Sequence, residues 1–376
     1  MPDWITDPAE LDNRIARRPQ RVGLDTEFIR ERTYWPQLAL VQIALGDDGD
    51  ILLVDPLAPG ITDALRPLLT DTSVLKVMHS PSEDLVAFKH ACGVVPQPLF
   101  DTQAAAALAG IAAGIGYQRL VQDVLDVALA KGETRSDWLR RPLSPSQLEY
   151  AADDVRHLFA VHDALDARLV ELGRDAWLQE DCARMVANAE RDEGDRWPHL
   201  SLRAAQFLDE AARVRLLRLL RWREAYARRA DRPRSWILDN ELAVLLAREP
   251  AAHPTQLQRQ LDANPKAPRK LGEAIWEALQ TSLDDEADAP EPRNEDRDKQ
   301  VLRRLQEATA ARSAELGLPD GVLASRRWLE QLLGADTADG WPGPLSGWRR
   351  AELEPALAPL LPPAAGGSGL GADSSV

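Results

Sequence analysis

Cysteine is scarce. Two occur in 376 residues, Cys92 and Cys182, and neither belongs to a CxxC pair or to a Cys/His spacing, which excludes a disulfide framework and a zinc finger and points to a reducing, cytoplasmic setting. Long apolar runs are also missing. The longest uncharged stretch of small residues, Ala104 to Tyr117, is shorter than the roughly 20 residues a membrane span requires. The opening MPDWITDPAE places acids where a secretion signal carries a basic and then an apolar region. Net positive charge is the third absence: the chain carries −15 at neutral pH, which taken alone argues against a polyanionic partner, because phosphate binding is driven by Lys and Arg. The charge is uneven, with −13 over residues 1–200, +5 over 201–280 and −7 over 281–376. An acidic first block is either a solvated surface or a set of carboxylates gathered for divalent cations. Only motifs separate the two.

The residues present divide into regions. Hydrophobic residues make up 44% of the chain, enough for a core in each of two or three domains of about 150 residues. Short β-branched and Leu-rich runs at Arg21–Phe28, Leu38–Leu45, Ile51–Val54 and Leu75–His79 read as strands. The turn residues Gly46 to Gly49 between the second and third predict antiparallel, hairpin-linked strands rather than a series of parallel βαβ units. Apolar spacings of three and four then predict helices over Ser82–Cys92, Thr102–Ala112, Arg119–Leu125 and Ser146–Leu172, the last introduced by Ser144-Pro145. Residues 1–200 therefore read as one mixed α/β domain. Beyond about Leu200 the strand signals vanish, and residues 201–283 read as an all-α module. The acid- and proline-rich 284–297 has the composition of a solvated linker, 298–361 that of a second small helical module, and 362–376 that of a disordered tail.

Three short motifs carry possible chemistry. Leu24-Asp25-Thr26-Glu27-Phe28 ends the first strand, and residues two apart on a strand share a face, so Asp25 and Glu27 are neighbours. Two like charges that close are unfavourable unless a cation is shared, although a solvent-facing strand end has the same appearance. His79-Ser80-Pro81-Ser82-Glu83-Asp84-Leu85 joins a strand to a helix. Ser82 is positioned to cap that helix, and helix-dipole stabilisation alone accounts for Glu83 and Asp84 in its first turn. In Tyr150-Ala151-Ala152-Asp153-Asp154-Val155 the tyrosine and Asp154 are four apart on one helical face, with Asp153 close to it. Periodicity does not choose between the two aspartates.

Taken together, LDTEF at 24–28, HSPSEDL at 79–85 and the run KGETRSDWLRRPLSPSQLEYAADDVRHL from Lys131 to Leu158 resemble the tyrosine-bearing branch of the DEDD superfamily of 3′–5′ exonucleases, and within it the ribonuclease D family. The resemblance implies a ribonuclease H-like mixed-sheet exonuclease domain. It makes Asp25, Glu27, Asp84 and Asp154 metal-binding acids and Tyr150 the motif tyrosine, leaving Asp153 outside the set. Two divalent ions, Mg²⁺ or Mn²⁺, are implied, with Asp25 bridging, Glu27 and Asp154 on the nucleophile side and Asp84 acting through water on the other. Hard cations of this kind suit an all-carboxylate donor set. Downstream, Trp222-Arg223-Glu224, Arg232-Pro233-Arg234, Ile237 and Asp239 look like a helicase and ribonuclease D C-terminal (HRDC) domain, and 298–361, ending Leu345-Ser346-Gly347-Trp348-Arg349, looks like a divergent second copy. The implied activity is trimming of RNA 3′ ends, with tRNA precursor trailers as substrate and 5′-nucleoside monophosphates as product. A 3′–5′ exodeoxyribonuclease and a catalytically silent nucleic-acid adaptor are the competing readings. Arg135, Arg140 and Arg141 are expected to reach phosphate, Thr26 to touch substrate, and Trp138 either to stack on a base or to be buried.

Overall fold

The structure is a computed structural model. It describes residues 2–16, 19–46, 50–129, 132–133, 136–191, 194–290, 295–335 and 340–362, without the side chains of 295–298. The elements of the first domain run β1 (Asp3–Ile5), α1 (Pro8–Ile15), β2 (Arg21–Ile29), β3 (Gln37–Leu45), β4 (Asp50–Val54), α2 (Ile61–Thr70), β5 (Leu75–Met78), α3 (Ser82–Cys92), β6 (Leu99–Asp101), α4 (Thr102–Leu108), α5 (Tyr117–Leu125), α6 (Pro145–Arg156), α7 (Leu158–Leu172) and α8 (Asp175–Arg191). The six strands form one sheet in the order β1-β4-β3-β2-β5-β6. β2, β3 and β4 pair antiparallel, as the turn residues predict, whereas β1–β4, β2–β5 and β5–β6 pair parallel. The result is an α/β fold on a mixed sheet. β3 is buried from Leu38 to Ala44, as a central strand covered on both faces requires.

Three local features differ from expectation, each for a physical reason. Pro81, not Ser82, occupies the N-cap position of α3, without a side-chain capping bond, and Ser82 is the first helical residue. The helix expected over Ser146–Leu172 is two helices, because the His157 N–H at the break donates to the Tyr117 hydroxyl at 3.2 Å. Its start is as expected: Ser144 and Gln147 form a reciprocal capping box. α4 ends at Leu108 rather than Ala112, ahead of Gly110, whose φ of +82° and approach to the Gly317 carbonyl exclude a side chain.

Beyond residue 200 the described residues are helical or irregular: α9 (Glu210–Ala230), α10 (Arg234–Ile237), α11 (Asn240–Arg248), α12 (Pro254–Ala263), α13 (Gly272–Gln280), α14 (Glu295–Leu316), α15 (Arg326–Gly334) and α16 (Trp348–Leu357). α9 to α13 bury their own apolar cluster, including Leu216, Leu220, Leu242, Leu246, Leu261 and Ile275. α14 to α16 instead contribute Leu305, Leu329, Leu353 and Leu357 to the cluster of the α/β domain. The expected linker is not wholly solvated. Asp285 pairs with Arg221 and Arg196, and Glu286 with Arg218, fastening its first residues to α9. Its last residues, from Glu295, already belong to α14. No helix among the described residues is long and apolar enough to cross a membrane.

Candidate active site

The site is built on β2, beside the middle of the sheet. Gly23, Asp25 and Glu27 alternate onto one face of this strand. A Cβ at Gly23 would lie 3.2 Å from both Ala44 Cβ and Leu158 Cδ1, so the missing side chain is what lets the α6–α7 junction settle on the strand. Asp154, four residues before Leu158, is thereby carried toward Asp25. Thr26 points to the opposite face, where its hydroxyl donates to Asp84 at the start of α3. Carboxylates from helices on both sides of the sheet thus converge on the end of one strand. Asp84 is buried and Asp25, Glu27 and Asp154 are partly exposed.

The electrostatics follow from this crowding. Burial, then the charges of Asp84, Asp154 and Glu27, push the Asp25 carboxyl well above its ordinary range. Burial and the Asp154 and Asp84 charges raise Glu27 to about 8. Burial raises Asp154 to about 7 and Asp84 to about 6, opposed by hydrogen bonds from Tyr150 and Thr26 respectively. None of the four is ion-paired with a basic side chain among the described residues. Four desolvated acids without a counter-charge are a costly arrangement for a fold alone, and an all-oxygen donor set suits hard divalent cations. The chemistry fits such ions. As the side chains stand, no group of three or more His, Cys, Asp or Glu among the described residues forms a ready-made metal cage, in keeping with the mutual repulsion of uncompensated carboxylates. Tyr150 hydrogen-bonds Asp154, and burial, with the neighbouring carboxylates, raises its hydroxyl far above the usual range. It is a neutral donor at physiological pH.

The remaining sequence-predicted residues separate. Trp138 is 2% exposed and packs against Tyr150 at a ring separation of 6.0 Å, so it supports the tyrosine and is closed to base stacking. Arg141 is spent on Asp55 at 2.7 and 2.8 Å and on the carbonyls of Trp138 and Ala39; it holds the loop rather than phosphate. The Thr26 hydroxyl is committed to Asp84. Arg140 is exposed, and Arg135 lies outside the described residues. Asp153 pairs with Arg156. Two contributors were missed: Gly132, where a side chain would run into the Tyr150 ring, and Tyr117, which holds the α6–α7 break. A glycine at the second position of the motif run was the available signal for the first. In α9–α13 much of the basic excess is structural: Arg215, Arg218, Arg221, Arg223, Arg228 and Arg234 all bond within the protein. Arg229 and Arg232 are exposed.

Residues 2–170 match the family model described as 3′–5′ exonuclease. Ribonuclease D of Xanthomonas oryzae pv. oryzae is 63% identical over 363 residues, spanning 96% of this chain and 99% of that one. The chain belongs to the ribonuclease D family. Its catalytic domain is accordingly that of a 3′–5′ exoribonuclease, a hydrolase of phosphodiester bonds. Ribonuclease D of Pseudomonas paraeruginosa is 39% identical, covering 94% of this chain and 96% of that one. The crystal structure of Escherichia coli RNase D, described as an exoribonuclease involved in structured RNA processing, superposes with a TM-score of 0.84 at 30% identity, covering 96% and 98% of the two chains. The similarity to this family therefore extends past the α/β domain through both helical regions.

Proposed function

We propose that this ribonuclease D family member trims RNA 3′ ends with two divalent cations, Mg²⁺ or Mn²⁺, that its substrate is the 3′ trailer of tRNA precursors, and that it releases 5′-nucleoside monophosphates. The observation that carries the reading is the convergence of Asp25, Glu27, Asp84 and Asp154, all desolvated and with raised proton affinities, and with no basic partner among the described residues. In this proposal Asp25, Glu27, Asp154 and Asp84 would hold the cations, Asp25 serving both, Glu27 and Asp154 the one on the nucleophile side and Asp84 the other. Bound cations would lower the pKa of an attacking water and neutralise charge on the phosphate and departing 3′ oxygen.

The chain's own groups do the positioning. Tyr150 stays protonated and anchors on Asp154, so its hydroxyl orients the attacking water and does not take its proton. Trp138 and Gly132 fix the ring that carries this hydroxyl. Exposed Arg140 is available to the RNA backbone. The α9–α13 and α14–α16 regions are read as HRDC-like domains that shape the path of the strand.

A time course on a 5′-labelled tRNA precursor tests the proposal. A ladder shortening one nucleotide at a time from the 3′ end, abolished by chelator and by Asp25→Asn, is the expected result. Intact RNA after long incubation, or equal degradation of a matched DNA strand, would refute the RNA-trimming assignment. Tyr150→Phe should retain more activity than Asp25→Asn.

A further inference from the structure

Gln42 lies in the middle of β3, in register with Asp25 across the antiparallel β2–β3 ladder. Directly opposed residues on neighbouring strands project from the same face. The next pair along the same face makes this visible, since a Cβ at Gly23 would touch the Cβ of its partner Ala44. Gln42 is fully buried, and neither the nitrogen nor the oxygen of its side-chain amide has a hydrogen-bond partner. Among the described residues no other side chain buries two such atoms. Its neighbours along the strand, Leu38 to Val41, Ile43 and Ala44, are all buried and apolar. A leucine or methionine at 42 would suit this setting better than a primary amide that gives up its bonds to water and gains none. Folding does not account for the residue, whereas its location opposite Asp25 does.

We propose that Gln42 is a positioning residue for Asp25: its amide N–H donates to the Asp25 carboxylate and holds the orientation in which Asp25 would meet the cations. The inference rests on the proposed role of Asp25 as a metal ligand. The amide and carboxylate are not bonded in this structure; the proposed bond would form when the cations are bound. Groups that orient metal ligands in this way are worth about 10- to 100-fold in metal affinity or activity when removed. Gln42 touches neither water nor phosphate in this scheme, so its loss should appear in kcat and in cation affinity and leave KM for RNA unchanged.

The test uses the full-length Gln42→Leu and Gln42→Met proteins beside wild type and Asp25→Asn. Melting temperature is measured in EDTA and along a Mg²⁺ or Mn²⁺ titration, followed by kcat and KM on a single-stranded RNA. Both Gln42 variants should melt at or above the wild-type temperature in EDTA, need about 10- to 100-fold more cation for half of the thermal shift, and lose kcat at constant KM. A clear fall in the EDTA melting temperature of both variants would assign Gln42 a purely structural role and overturn the proposal. So would an unchanged cation midpoint and kcat. If Asp25→Asn itself keeps the full cation-induced shift, the ligand assignment fails and this inference with it. Loss of the shift in Asp25→Asn with a wild-type midpoint in both Gln42 variants removes only the role of Gln42.

Discussion

The two helical regions that follow the exonuclease domain are attached to it in opposite ways. α9–α13 closes its own apolar core and meets the α/β domain through a polar clamp. There the Tyr34 hydroxyl donates to Glu224 and accepts from Arg228 Nε at 3.1 Å and Arg234 Nη2 at 2.9 Å. The Tyr34 and Trp35 N–H groups both donate to Asp231 Oδ1 at 3.0 Å, and a small apolar patch of Tyr34, Ala227 and Ile237, flanked by Trp35, Trp222, Tyr226 and Leu271, lies beneath. α14–α16 has no separate core, because its leucines merge with those of the exonuclease domain. Trp348 stacks on Trp177 with ring centres 4.3 Å apart, its Nε1 donates to Asp181 at 3.0 Å, and Arg349 pairs with the same carboxylate. Apolar continuity makes two segments one cooperative unit, whereas a hydrogen-bonded clamp joins units that fold separately. The helices α14–α16 are thus structurally part of the same body as the exonuclease domain, although composition reads 298–361 as a detached module.

Removal of each region is the strongest way to break this comparison. A chain ending at residue 290 exposes the face that holds Trp177 and should lose its cooperative thermal transition, an effect exceeding the about 5–15 kcal/mol of net stability typical of a domain. Replacing residues 202–283 by a Gly/Ser linker should leave one cooperative transition and metal-dependent cleavage of short RNA. Circular dichroism melts of the two proteins decide the matter, and the opposite ranking would reverse the assignment of cores.

Single substitutions sharpen it. Asp181→Ala strands Arg349, which is 7% exposed, without its carboxylate. Loss of one partner of a buried pair costs about 3–5 kcal/mol, so the whole protein should melt at lower temperature in one transition. Glu224→Gln weakens the clamp, where loss of a charged hydrogen-bond partner costs about 1–3 kcal/mol. Its effect should fall on docking: faster proteolysis near residues 192–202, stronger at high salt, with the melting of the exonuclease domain unchanged. Equal melting shifts in the two variants would erase the distinction.

Much of this was legible because the signals were local. Asp25 and Glu27 are related by strand alternation, Tyr150 and Asp154 by helical spacing, and the Ser144 capping box by a four-residue pattern. β1 and β6, of three residues each, are too short to show periodicity, and the position of β1 is decided by parallel pairing with β4 more than forty residues away. Trp138 and Arg141 were ambiguous for another reason: the residue types that bind RNA also brace loops, and only the contacts with Tyr150 and Asp55 distinguish the uses. Gln42 was invisible because a glutamine within an apolar strand has no motif, and its meaning lies in the cross-strand partner. The fused core of α14–α16 likewise depends on long-range packing that segment composition does not record.

The smallest expected effect compares the acid of the clamp with the acids of the site. Hydrogen bonds and charge from Arg234, Tyr34 and Arg228 outweigh burial and hold Glu224 down to about 2. That contribution is complete above the ordinary carboxylate range and is lost only as pH falls from about 4.5 toward 2. In the carboxylate cluster of the candidate site the sign is reversed. Glu27 at about 8 and Asp154 at about 7 retain protons in the folded, metal-free protein that the unfolded chain has already released, so stability declines as pH rises through these values. The interval from about pH 6.5 to 8 isolates the carboxylate cluster, to which Asp25 adds with the same sign, because the half-buried His79, lowered to about 4, acts below its ordinary value of 6.5, and Lys76, lowered to about 8, acts mainly above that pH. In EDTA the melting temperature should therefore fall by a few degrees across this interval while proteolysis at the clamp stays constant. Glu27→Gln should flatten the decline. Excess Mg²⁺ should also remove it, because cation binding displaces the protons that the crowded carboxylates otherwise keep. A metal-free melting temperature that rises from pH 6.5 to 8, in wild type and Glu27→Gln alike, would show that these carboxylates are not held in the crowded, proton-retaining arrangement from which the site is inferred.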